Sequence, residues 1–228
     1  LKPDFVVNIS ASPFSYNQES WRKDILVKKS KTYNLPVIYV NQTGAQAELI
    51  FDGGSVFINN HGEIIKELKY FEEDFLVVDT NNTETKAVQP SSGYIQKIYN
   101  ALILGIRDYL FKSGFRKAIL GLSGGIDSAV TAVLADRALG PENVRGLLLP
   151  SKYSSDHSIE DARRLAENLQ IQYDLIDIQS AVNEFEKSLL PLFEGTYPGV
   201  AEENIQARTR GIYLMAVSNK YGNILLNT

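Results

Sequence analysis

The stretch Ala118-Ile119-Leu120-Gly121-Leu122-Ser123-Gly124-Gly125-Ile126-Asp127-Ser128-Ala129-Val130 decides the reading of this chain. Lys117 to Leu122 is short, apolar and free of interior charge, which predicts a buried parallel strand. Gly124-Gly125 supplies a turn open to positive φ and to close approach by a ligand. Ile126, Val130, Val133 and Leu134 recur at helical spacing and predict one apolar face of a helix, stopped by Gly140-Pro141. Strand, tight turn and helix in that order gather backbone N–H groups and a helix N-terminus at one point, the arrangement a phosphate chain needs. Ser123 and Ser128 add hydroxyls. Asp127 places a carboxylate where phosphate would be repelled unless a cation lay between, which makes it a candidate Mg²⁺ ligand. The competing reading is a purely structural turn with Asp127 as a first-turn helix charge. The spacing matches neither a Walker loop nor a Gly-x-Gly-x-x-Gly dinucleotide turn.

Outward from this turn, the chain divides into two unlike parts. Phe5 to Ile9 and Pro36 to Val40 are apolar runs that predict strands, with a helix over Gln18 to Tyr33 whose apolar side is Trp21, Ile25 and Leu26. Ser55 to Ile58 and Glu63 to Leu68 flank Asn59-Asn60-His61-Gly62, a hairpin signal. Phe75 to Val78 is a further candidate strand. The polar segment after Asp79 supplies a linker, placed at 87–92 between domains at 1–86 and 93–228. Ile95, Ile98, Leu102, Ile106, Tyr109 and Leu110 then predict a helix closed by Gly114. Beyond the turn, strands at Val144–Leu149, Ile171–Ile178 and Asn223–Leu226 alternate with helices at Ser158–Leu169, Gln179–Leu190 and Glu202–Tyr221. Ser158 with Asp161 has capping-box spacing. Alternation predicts an α/β fold with a doubly wound parallel sheet, its ligands beyond the carboxyl ends of the strands.

Composition narrows the function. The 228 residues carry 44% hydrophobic and 22% charged side chains and a net charge of −4, which disfavours a nucleic-acid-coating protein. No run has membrane-span length. The absence of cysteine excludes a disulfide framework and a thiol nucleophile within these residues. Met215 is the only methionine and Leu1 opens the chain, which predicts a piece of a longer protein. On the last helix, Ile205, Ile212 and Ala216 predict an apolar stripe, with Asn204 and Arg208 one turn apart along its margin. Lys152 is a candidate phosphate partner or a solvated loop lysine. His61 and His157 receive no chemical role.

The string Ser123-Gly124-Gly125-Ile126-Asp127-Ser128 resembles the PP-loop of the ATP pyrophosphatase superfamily, whose fold is adenine nucleotide α-hydrolase-like. Together with Leu149-Pro150-Ser151-Lys152-Tyr153-Ser154-Ser155 and Glu203-Asn204-Ile205-Gln206-Ala207-Arg208, it resembles the glutamine-dependent NAD⁺ synthetase family. Asn8 to Phe14, Val40 to Gly44 and Phe51 to Ser55 resemble the later part of a nitrilase-type αββα glutaminase domain. The resemblance implies a carbon–nitrogen ligase that adenylates deamido-NAD⁺ with ATP and Mg²⁺. Ammonia from glutamine then displaces AMP, and pyrophosphate stays on the loop. It implies ATP contacts at Gly121, Leu122, Ser123, Gly124, Gly125, Ile126, Asp127, Ser128 and Thr228, with Asp127 on the metal. It implies deamido-NAD⁺ contacts at Asn204 and Arg208 and a glutamine contact at Ser12. Gln18 stands at the second glutamine position, where the family usually carries Lys or Arg. The Glu-Lys-Cys triad is expected before Leu1, so no glutaminase activity is expected of this piece. A cytoplasmic homo-oligomer acting on small molecules is the further implication. Two alternatives stand beside it: another PP-loop amidotransferase resembling GMP synthetase, and a non-catalytic ATP-binding module.

Overall fold

The computed structural model describes residues 2–80 and 93–227, in two compact units, Leu1–Tyr109 and Leu110–Thr228. The expected linker at 87–92 lies outside the described residues.

In the first unit, β1 (Val6–Ser10) and β2 (Val37–Asn41) pair in parallel, with α1 (Gln18–Tyr33) as the crossover between them. β5 (Val56–Ile58) and β6 (Ile64–Glu67) form the expected hairpin and extend the sheet in the order β1-β2-β5-β6. A second hairpin, β3 (Thr43–Gln46) with β4 (Leu49–Asp52), has no counterpart in the sequence expectations. Its turn holds Ala47 at φ 50, a position where Gly or Asn would have signalled it. Phe75 to Val78 is not a strand, and Phe75 is 84% exposed. Leu26, Val37, Tyr39, Val56 and Ile58 make one core cluster. Phe71, Ala101 and Leu104 make another with Phe14, Ile50 and Tyr70 around them.

α1 corrects its sequence reading. Trp21 is 64% exposed, while Glu19, Arg22, Leu26 and Ser30 are the buried residues. Successive positions among these lie three or four residues apart and define the inward face. A polar stripe can be buried because acids and bases from other elements meet it there. Arg22 donates to Asp52 through both terminal nitrogens, at 3.2 and 2.8 Å. Lys23 reaches Glu19 at 2.8 Å and Glu67 at 2.6 Å, and Lys97 also pairs with Glu19. Lys97 lies on α2 (Tyr94–Lys112), whose face is likewise rotated from expectation. Ala101 and Leu104 pack inward, whereas Ile95 and Leu102 are exposed.

The second unit is the expected doubly wound parallel sheet. β7 (Ala118–Gly121), β8 (Val144–Leu148), β9 (Gln172–Leu175) and β10 (Ile224–Leu226) lie in the order β10-β7-β8-β9, every pair parallel. α5 (Gln179–Leu189) and α6 (Val200–Tyr221) cover one face through Val182, Ile205, Tyr213, Leu214 and Val217, against Ile119 and Leu147. α3 (Ile126–Leu139) and α4 (Asp156–Leu169) cover the other with Ala132, Ala135, Ala162 and Ala166. The stripe expected on α3 is wrong, because Ile126 is 74% exposed and Val130 is also exposed. Small residues face the sheet since a helix approaches closely only where its side chains are short. α6 shows the same rotation, with Ile212 and Ala216 exposed and Gln206, Thr209 and Ser218 buried. α4 starts earlier than expected. Ser155, not Ser158, is its N-cap, and its hydroxyl accepts from the Ser158 amide at 3.2 Å.

The chain order β7, β8, β9 runs outward across the sheet, and α6 then returns it to the opposite side of β7. Strand order therefore reverses at β7, and open α/β sheets bind ligands in the crevice at such a reversal.

Candidate functional site

The glycine turn sits at the carboxyl end of β7, where the strand order reverses. Its first anchor is Leu122, whose amide donates to the Leu147 carbonyl at 2.8 Å. The Leu122 side chain occupies the space over Gly146, where an added Cβ would lie 2.5 Å from Leu122 Cδ1. Gly124 adopts φ +80, and a Cβ there would meet the Ser158 carbonyl oxygen at 2.3 Å. Both backbone sign and space thus require glycine at this position. Gly125 is extended at φ −84 and serves as N-cap of α3.

The serines organise the turn from inside. Ser123 Oγ and Ser128 Oγ lie 3.1 Å apart, Ser128 donates to the Gly125 carbonyl at 3.0 Å, and the Gly125 amide donates to Ser123 Oγ at 3.2 Å. Ser128 is buried, so its part is to brace the loop. The amides of Ile126, Asp127 and Ser128 belong to the first turn of α3 and have no intrahelical acceptor. The Asp127 carboxylate is exposed, with no ion pair or side-chain hydrogen bond among the described residues. An exposed carboxylate beside unpaired amides fits a hydrated Mg²⁺ shared with ligand phosphates, which needs only one or two protein carboxylates. No cluster of three metal-ligating side chains occurs among the described residues.

A cavity of about 610 Å³ opens beside the turn, lined by Gly121, Leu122, Ser123, the β8–α4 loop and one face of α6. Gly124 to Ser128 border this region in sequence but are not among its lining residues. Asn204 and Arg208 are exposed on α6 and do not line it either. The α6 residues that do are Ala207, Arg210, Gly211 and Leu214. Arg210 escaped the sequence reading, although its spacing from Ala207 and Leu214 marks the same helix face. It is the one charged side chain lining the cavity among the described residues. Its Nε donates to the Leu149 carbonyl at 3.1 Å and a terminal nitrogen donates to Ser151 Oγ at 3.3 Å. Ser151 Oγ in turn donates to Gln206 Oε1 at 2.8 Å, tying the loop after β8 to α6. Burial lowers the Arg210 pKa from its ordinary value. Lys152 turns elsewhere, toward Glu186 at 3.7 Å. His157 faces Asp161, and His61 stays in its hairpin turn. Thr228 lies outside the described residues.

In the first unit, the Ser12 amide donates to Asn41 Oδ1 at 2.9 Å. Asn41 Nδ2 donates to Asp52 Oδ1 at 2.9 Å and to the Gly53 carbonyl at 3.0 Å, joining Ser12 to the Arg22–Asp52 pair. Gln18 is the first residue of α1 and is half-buried.

The chain matches the family model for NAD synthase over residues 98–228. It is 46% identical over 230 residues to a glutamine-dependent NAD(+) synthetase of Synechocystis sp., covering 99% of this chain and 41% of that protein. A Thermotoga maritima protein of the same name is 40% identical over 259 residues, covering 98% of this chain and 45% of its own. Among solved structures, the glutamine-dependent NAD⁺ synthetase of Acinetobacter baumannii in complex with ADP superposes with a TM-score of 0.94 at 39% identity, covering 99% of this chain and 44% of that one. The chain thus spans less than half the length of these relatives.

Proposed function

This chain belongs to the NAD synthase family, and from that premise we propose that its full-length protein converts deamido-NAD⁺ to NAD⁺ with ATP and ammonia drawn from glutamine. The observation that carries the reading is the cavity at the β7 strand-order reversal, beside a glycine turn with free first-turn amides. In the first half-reaction the substrate carboxylate attacks the α-phosphorus of ATP, forming an adenylate and releasing pyrophosphate. Ammonia then adds to the activated carbonyl and AMP leaves. The turn at Gly121 to Ser128 holds the phosphates, its amides donating to oxygens that gain charge as pyrophosphate departs. Asp127 would hold Mg²⁺, which when bound offsets the charge of the triphosphate. Thr228 belongs to the same ATP site. Asn204 and Arg208 take deamido-NAD⁺.

Residues 1–86 are the C-terminal part of a nitrilase-type glutaminase domain, with Ser12 and Gln18 at its glutamine pocket, and residues 93–228 are the N-terminal part of the ligase domain. The buried relay from Arg22 through Asp52 and Asn41 to the Ser12 amide supports a held position for Ser12. A cytoplasmic homo-oligomer completes the reading.

The test is pyrophosphate release from ATP by the full-length protein, with and without deamido-NAD⁺. Release is expected to depend on deamido-NAD⁺. Asp127→Ala is expected to abolish it while the circular-dichroism spectrum stays unchanged. A fully active Asp127→Ala variant removes that carboxylate from the reaction, and release indifferent to deamido-NAD⁺ removes the proposed substrate.

A further inference from the structure

We infer that Arg210 is a phosphate-binding residue of the nucleotide site, the fixed cation that the glycine turn itself lacks. The inference rests on the nucleotide reading of the cavity and adds to it a residue outside the turn. A Walker loop carries its own lysine, but Ser123 to Ser128 contain no base, and the one charged side chain in them is acidic Asp127. A triphosphate brings several negative charges into a space whose other described lining residues are neutral. Positive charge must therefore come from outside the turn, and among the described lining residues Arg210 on α6 supplies it.

Its geometry suits a prepaid role. One N–H is held by the Leu149 carbonyl and one by Ser151 Oγ, so the guanidinium plane is oriented before any ligand arrives. A guanidinium carries five donors, and these two bonds leave further donors for phosphate oxygens. No carboxylate lies within ion-pair distance among the described residues. A partly buried cation without an acid is costly, and it is offset when an anion binds. The same side chain pins the loop after β8 to α6, so a purely structural clamp is the rival explanation.

The number of phosphates on the ligand separates the two. In the full-length protein, a fluorescent ribose-labelled ATP analogue is displaced by ATP, ADP or adenosine. For Arg210→Gln, ATP is expected to lose roughly tenfold to hundredfold in affinity, the worth of one charge-assisted contact. ADP should lose a comparable factor, and adenosine should change by less than about twofold because it carries no charge for the guanidinium to meet. Arg210→Lys should recover part of the ATP affinity as a point charge without the fork. Equal weakening of ATP and adenosine identifies a clamp and overturns the inference, as does unchanged ATP affinity. The reaction and the residue fail separately. Normal ATP displacement by the unmodified protein without pyrophosphate release dependent on deamido-NAD⁺ sinks the proposed reaction and leaves the Arg210 assignment to its own test.

Discussion

Two charged sites, the α1 cluster of the first unit and Arg210 of the second, are built in opposite ways. In the first, Glu19, Arg22, Lys23, Asp52 and Glu67 are matched acid to base, and Lys97 joins them. Their titration reflects the matching. Burial alone would raise the Glu19 pKa, but hydrogen bonds from Lys23 and Lys97 hold it below its ordinary value. Burial would lower Arg22 and Lys23, and their carboxylate partners raise both. Tyr70 donates to Glu67, and burial first, then that carboxylate, pushes the phenol well above its ordinary range. In the second unit, Arg210 faces a cavity with no acid beside it, and burial alone acts on its pKa. Matched charge joins elements of the first unit, whereas Arg210 is held by neutral acceptors beside a cavity.

Asp52→Ala should break this contrast most severely. It strands Arg22 beneath 9% exposure, and removing one partner of a buried pair costs about 3–5 kcal/mol. Chemical unfolding of the full-length protein, with hydrogen exchange read at α1, measures it. A cost as small as that of a surface pair would mean that the polar face of α1 is hydrated and contributes little.

Gly124→Ala comes next. At φ +80, with the Ser158 carbonyl 2.3 Å from the new Cβ, the strain is about 1–3 kcal/mol before the overlap is relieved. Relief must move the turn or the first turn of α4, so ATP affinity should fall with stability. Calorimetric titration with ATP checks this, and wild-type affinity would detach the turn from the nucleotide.

The smallest effect is a pH response from the matched cluster. Because the folded Glu19 pKa lies below 4.5, its stabilisation is complete above that value and is lost as pH falls from there through the folded pKa. Lys23 behaves conversely. Its folded pKa exceeds 10.5, so its share persists below that value and is lost as pH rises through the folded one. Exchange at α1 should accelerate at both extremes in the native protein, and Glu19→Gln should remove the acid limb. An unaltered acid limb in that variant would assign it to other carboxylates.

Helical faces were the least legible feature. Ile126, Val130, Ile212 and Trp21 have the spacing and size of core residues, yet all four are exposed. The turn between β7 and α3 was legible because glycine, serine and an apolar strand act through neighbours in sequence. Arg210 and the Asn41–Asp52 relay were not, since each acquires its meaning from partners far along the chain. The β3–β4 hairpin was missed for a local reason, its turn being built on Ala47 at positive φ.

What the residues determined unaided is most of the succession of strands and helices, without the β3–β4 hairpin, and the presence of a glycine turn between β7 and α3. Hydrophobic period, glycine and capping are short-range signals, and they survive without knowledge of neighbours. Tertiary structure alone decided which side of each helix is buried, which acids meet which bases, and that one arginine is left facing open space. Those outcomes depend on what packs opposite, and alanines against a sheet or carboxylates against a lysine can outweigh the apolar pattern of a single helix.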